Sequence, residues 1–176
     1  MTDGPRAAVA CGVALAILIA ALAGCANEPR STYLPNGGPA GDLTDATEAV
    51  VIGALGGVGL PAAEAQLPYR PPEEALLSNA PRTVIQATLP DDPNHGFVVI
   101  YAFQSPQAAD AAAAEQATFI ESNRGGMFAR TSRFSLRVVG STVVFFWWIP
   151  ETVIDQRTAL IEEALLRVGS EVPIDR

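Results

Sequence analysis

The sequence contains no lysine, and all eleven of its basic residues are arginine. It has one histidine, His95, and two cysteines, Cys11 and Cys25. Each scarcity excludes something. A Ser-His-Asp triad could use only His95. One His beside Asp91 and Asp92 falls short of a zinc ligand set, and of the alternating oxygens of a calcium loop. Both cysteines lie near the start, so the later chain has neither a disulfide nor a thiol nucleophile. No G-x-S-x-G elbow is present. The glycines Gly56, Gly57 and Gly59 follow a helical pattern without a Lys-Ser/Thr pair, so they end a helix and cradle no phosphate. No catalytic residue, metal site or cofactor is expected, and the chain does not read as an enzyme.

Positive charge is scarce overall. The formal net charge is −8 and the pI is near 4.5. Phosphate binding needs a basic surface, so nucleic acid is not an expected partner. Adsorption to anionic lipid needs Lys/Arg clusters and is not expected either. Hydrophobic residues make up 49% and charged residues 17%, a globular composition enriched by one apolar segment.

That segment is Ala7 to Gly24, eighteen residues without a charge, preceded by Arg6. A basic start, an apolar stretch and small residues at its end form a secretory signal peptide. Its last four residues, Leu22-Ala23-Gly24-Cys25, resemble the lipobox of bacterial lipoproteins at every position. The resemblance implies a diacylglyceryl group on the Cys25 sulfur and cleavage between Gly24 and Cys25. A thiol suits the modification, and small side chains let an extended backbone enter a peptidase. Two acyl chains anchor stably where one is marginal. The competing reading is an uncleaved membrane anchor in which Cys25 is incidental. Localisation is then the extracytoplasmic side of the cell membrane, with membrane lipid as partner through acylated Cys25. Residues 26–43, rich in Pro, Gly, Asn and Ser, read as a flexible tether reaching ~25 Å.

Residues 44–176 read as one α+β domain. A helix is expected from Asp45 to Leu55, with Asp45 and Glu48 as capping box, Leu43 as staple, and Val50, Val51, Ala54, Leu55 and Val58 inward. Pro61 to Pro81 is irregular apart from a short helix over Pro72 to Ser78. Strands are expected at Thr83 to Leu89 and at Phe97 to Phe103, joined as a hairpin through a solvated turn containing His95. Ser105-Pro106 starts an Ala-rich helix to about Ser122. Strands follow at Ser132 to Val139 and Thr142 to Ile149. A last helix runs from Thr152 or Asp155 to Val168, with Gly169 ending it. The order is α-(irregular)-β-β-α-β-β-α: two ββα units, with helices packed on one face of an antiparallel sheet. This pattern is similar to small uncharacterised domains of exported bacterial lipoproteins, a likeness of architecture that implies no activity.

Two features could carry binding. Arg133 and Arg137 share a strand face and could meet a carboxylate, phosphate or lipid headgroup. The plainer reading is a solvated face that discourages edge pairing. Phe145-Phe146-Trp147-Trp148 places aromatics on both sides of a strand. Core on both faces is the plain reading, and an exposed groove beside Trp147 or Trp148 is the functional one. The pairs Glu73-Glu74 and Glu162-Glu163 read as exposed helix positions. The expected function is a noncatalytic domain binding an envelope partner, with a carrier of a hydrophobic or lipid-like ligand as the alternative.

Overall fold

The structure, a computed structural model, describes residues 40–175. Cys25, the lipobox and most of the tether lie outside the described residues. Six strands form one antiparallel sheet: β1 (Ala62–Glu64), β2 (Arg82–Ala87), β3 (Phe97–Ala102), β4 (Arg133–Val139), β5 (Thr142–Trp148) and β6 (Ser170–Glu171). Their spatial order is β1-β2-β3-β5-β4-β6. The helices are α1 (Asp45–Gly57), α2 (Ala75–Asn79), α3 (Pro106–Ser122) and α4 (Thr158–Leu165). The α+β class, the order of the four helices and four long strands, and both hairpins are as the sequence reads, but β1, in the stretch read as irregular, and β6, after α4, are additional strands. Among the described residues, no helix is long and apolar enough to cross a membrane.

The helices do not share one face. Val51 and Leu55 of α1 and Ile161 and Leu165 of α4 pack on Ile85, Val98, Ile100, Val144 and Phe146. On the other side, Leu77 of α2 and Ala112 and Ala113 of α3 pack on Val99, Tyr101, Leu136, Val143 and Phe145. The domain therefore has three layers with the sheet in the middle. The cause is in the strands: β3 and β5 are apolar on both faces, so each face needs a cover. Phe145 and Phe146, neighbours in sequence, are both fully buried on opposite sides.

Local chemistry sets the element ends. Thr44 precedes α1, and its hydroxyl bonds the Glu48 carboxylate at 2.6 Å. Leu43 is 61% exposed, so the expected staple does not form, and Val50 also faces out. Helix α1 runs past Leu55 through Gly56 and Gly57 before Gly59, at φ +80°, turns the chain. Ser105 caps α3, its hydroxyl accepting the Ala108 N–H at 3.2 Å, with Pro106 in the first turn. Helix α4 begins later than expected, at Thr158, because residues 149–157 form turns. The short strands β1 and β6 carry no alternation long enough to read from sequence.

Candidate functional site

Strand β4 points Phe134, Leu136 and Val138 toward the α3 layer, and Arg133, Ser135 and Arg137 toward α4. The two arginines thus share a face, as their spacing requires, but they have different surroundings. Arg133 is exposed. Arg137 is 6% exposed, which corrects the expectation of a solvated strand face at this position. Its guanidinium lies across the C-terminal end of α4. Nε donates to the Val168 carbonyl, and Nη2 donates to those of Leu166 at 3.3 Å and Gly169 at 3.2 Å. A helix end carries partial negative charge, and although the last carbonyls of α4 are met by the N–H groups of Leu166, Arg167 and Val168, the turn that follows leaves its own carbonyls to be paired. Arg137 answers both needs, and Glu171 adds an ion pair to Nη1 at 3.6 Å.

Beside this corner lies a groove of about 250 Å³, lined by Arg133, Ser135, Arg137, Glu162, Leu166 and Glu171 among others. Its walls are β4, α4 and the chain leaving β6. The lining carries both signs of charge and includes neither tryptophan. Trp148 turns its indole N–H to Glu162 at 3.2 Å, so Glu162 is half-buried and is not the free surface carboxylate its pairing with Glu163 suggested. Trp147 packs edge-on to Phe128 at 6.0 Å in the other layer. Phe145 and Phe146 are thus core on the two faces of β5, and the tryptophans are partly buried against it, one on each face. Arg133 supplies the groove with an outward cation.

The turn joining β2 to β3 is not merely solvated, as expected. Asp92 is 4% exposed and bridges two segments. Its Oδ1 meets His95 Nδ1 at 2.5 Å, and its Oδ2 accepts the Ile154 N–H at 2.9 Å. Burial pushes the Asp92 carboxyl up, but the bonds from His95 and Ile154 outweigh it and hold it below the usual range. The His95–Asp92 contact has the reach of an acid/base couple, but neither residue lines the groove. Among the described residues no group of three His, Cys, Asp or Glu side chains could hold a metal ion. Next to it, Arg157 grips Asp155 with Nε at 2.9 Å and Nη2 at 2.5 Å, and lies 3.8 Å from Asp91.

Hydrogen bonding from Arg157 outweighs burial and takes Asp155 down to about 2. A depressed carboxylate stabilises the fold above its unfolded value near ~3.9, and that stability is lost as pH falls through about 2. Asp155→Asn is therefore expected to lower the melting temperature at pH 6 but to flatten its fall between about pH 4 and pH 2. Thermal scans across that range check it.

Sequence reasoning missed one cluster. Glu74 caps α2 by accepting the Leu76 N–H at 2.7 Å, whereas the side chain of its neighbour Glu73 is only 2% exposed. Glu73 is turned inward toward Arg70, Arg82 and Tyr101. The signal was Tyr101 itself: a hydroxyl inside an apolar central strand calls for a polar neighbour.

No family model, no curated protein and no solved structure matches this chain.

Proposed function

We propose that this is a lipid-anchored protein of the bacterial cell envelope whose single domain is a noncatalytic binding module. The observation that carries the reading is Leu22-Ala23-Gly24-Cys25 at the end of an uncharged eighteen-residue segment. The net charge of −8 supports it from the other side, because a surface this acidic gains nothing from anionic lipid. Acyl chains on Cys25 hold the domain at the extracytoplasmic face of the membrane. The groove beside β4 is its binding surface. Its mixed charge and the outward Arg133 suit a polar partner such as an envelope protein. The two tryptophans are partly buried, one against each core layer, and neither lines the groove, which favours a polar partner over a hydrophobic ligand there.

Cells expressing the wild type and Cys25→Ser, fed radioactive fatty acid, test the anchor. The expected result is label and membrane sedimentation for the wild type only. Equal label in both forms would sink the reading. Sedimentation of both without label would instead mean an uncleaved anchor.

A further inference from the structure

The charged groups of the groove beside β4 differ in what they have left to give. Arg137 has nothing: its Nε and Nη2 are taken by the carbonyls after α4, and its Nη1 faces Glu171. Arg133 is exposed, and its side chain has no ion pair or hydrogen bond among the described residues. Glu162, on the α4 wall, uses only Oε2, which accepts the Trp148 indole N–H. Glu171, on the β6 wall, has a side chain 68% exposed and only the 3.6 Å contact with Arg137. Trp148 is the cross-strand neighbour of Arg133 as well as the donor to Glu162. An uncommitted cation and an uncommitted carboxylate oxygen therefore flank one indole without pairing with each other.

The floor between the two arginines is Ser135. It lies on their face of β4, lines the groove and is only 8% exposed, yet its hydroxyl has no hydrogen bond among the described residues. A nearly buried hydroxyl without a partner is uncommon in a folded protein. Here it opens on the same space as the Arg133 guanidinium.

This arrangement discriminates among charged ligands. A phosphate would bring two negative charges to a groove with two carboxylates, on a chain of net charge −8. A ligand with cations alone would leave Arg133 and the Ser135 hydroxyl unanswered. The match is a ligand that carries one carboxylate and one cation. The groove, about 250 Å³, holds roughly eight waters at ~30 Å³ each and is smaller than the ~300–1,000 Å³ of drug-sized pockets. That is room for about one amino-acid residue, so both charges must sit on the same residue.

Resting on the groove as the binding surface, we propose that it takes the C-terminal residue of a polypeptide partner, and that this residue is Lys or Arg. The terminal carboxylate meets the Arg133 guanidinium, whose fork suits it, and accepts from the Ser135 hydroxyl. The side-chain cation meets Glu162 Oε1 and Glu171. Opposite charges at the two ends of one residue fix its register in the groove.

The lipidated full-length protein in detergent tests this, with fluorescence anisotropy of the N-terminally labelled peptide Gly-Ser-Gly-Ser-Lys. Saturable binding is expected below about 1 mM, weakened about tenfold when the terminal carboxylate is amidated. In Arg133→Gln, acid and amide should bind alike. A peptide ending in Ala should bind severalfold more weakly than the Lys peptide to the wild type, and equally to the double variant Glu162→Gln, Glu171→Gln. No saturation by about 1 mM overturns the proposal, as does equal binding of acid and amide to the wild type, a comparison that needs no variant to fold. Acid-over-amide discrimination that survives Arg133→Gln also overturns it. So does displacement of the peptide by an equal concentration of free lysine or of glycerophosphoethanolamine, which would put an amino acid or a lipid headgroup in its place. Capture of one envelope protein equally by wild type and Arg133→Gln would remove the terminus and leave the binding module standing.

Discussion

Arg137→Ala should destabilise the domain by about 3 kcal/mol, read as a lower urea midpoint at unchanged slope. The loss has two parts. The guanidinium bonds to the carbonyls of Val168, Leu166 and Gly169 disappear. Those carbonyls, in the turn after α4, then lose their donor, and a buried acceptor without a donor costs ~1–3 kcal/mol. Arg137→Met keeps the stem against α4 and should recover part of the loss. A loss below about 1 kcal/mol in Arg137→Ala would mean that water replaces the guanidinium without penalty. The result also bears on function: a side chain committed to three carbonyls is not free to grip a ligand, so Arg133 is the cation of this face that can.

Gly169→Ala should be as severe, and Gly140→Ala supplies the comparison. Both glycines have left-handed backbone, φ +54° and φ +57°. A β-carbon at Gly140 meets nothing within 4 Å, so alanine there bears only the left-handed penalty of about 1–2 kcal/mol. A β-carbon at Gly169 would lie 2.1 Å from the Val138 carbonyl oxygen and 2.6 Å from Val139 Cγ2. The chain must then retreat from β4, which breaks the Val138–Ser170 pairing and pulls the carbonyls of Val168 and Gly169 away from Arg137. A cost of about 3 kcal/mol or more follows from adding overpacking to the backbone term. Equal midpoints for the two variants would show that the close approach of β6 to β4 carries no energy.

The elements that could be read from sequence are those whose pattern is long and locally caused. Phe97–Ala102 and Thr142–Trp148 are apolar runs between turn residues. Pro106–Ser122 begins at a Ser-Pro pair and needs no partner to be recognised. What could not be read depends on contacts between distant segments. Nothing local to Arg137 says that the end of α4 will arrive beside it. Nothing local to Asp92 says that Ile154 will offer it an N–H. Glu73 and Glu74 look alike in sequence, yet one caps a helix and the other is buried against β2 and β3. The layer assignment fell for a related reason. Apolar strands announce that both faces are covered, but not which helix covers which.

Strand β5 joins the two halves of the sheet. Its neighbours are β3, from the first hairpin, and β4, its own hairpin partner. Each hairpin can form from nearby chain, but the β3–β5 seam closes a loop through all of α3, and such closures come late. Until they do, β3 is an open edge of six residues, Phe97–Ala102, without a charge to deter a second chain. A chain that stops before Thr142 keeps that edge for good, and so stalled or clipped products of this protein are the form most prone to aggregate. Any chaperone that accompanies the chain has this strand to shield, and its task ends when β5 docks.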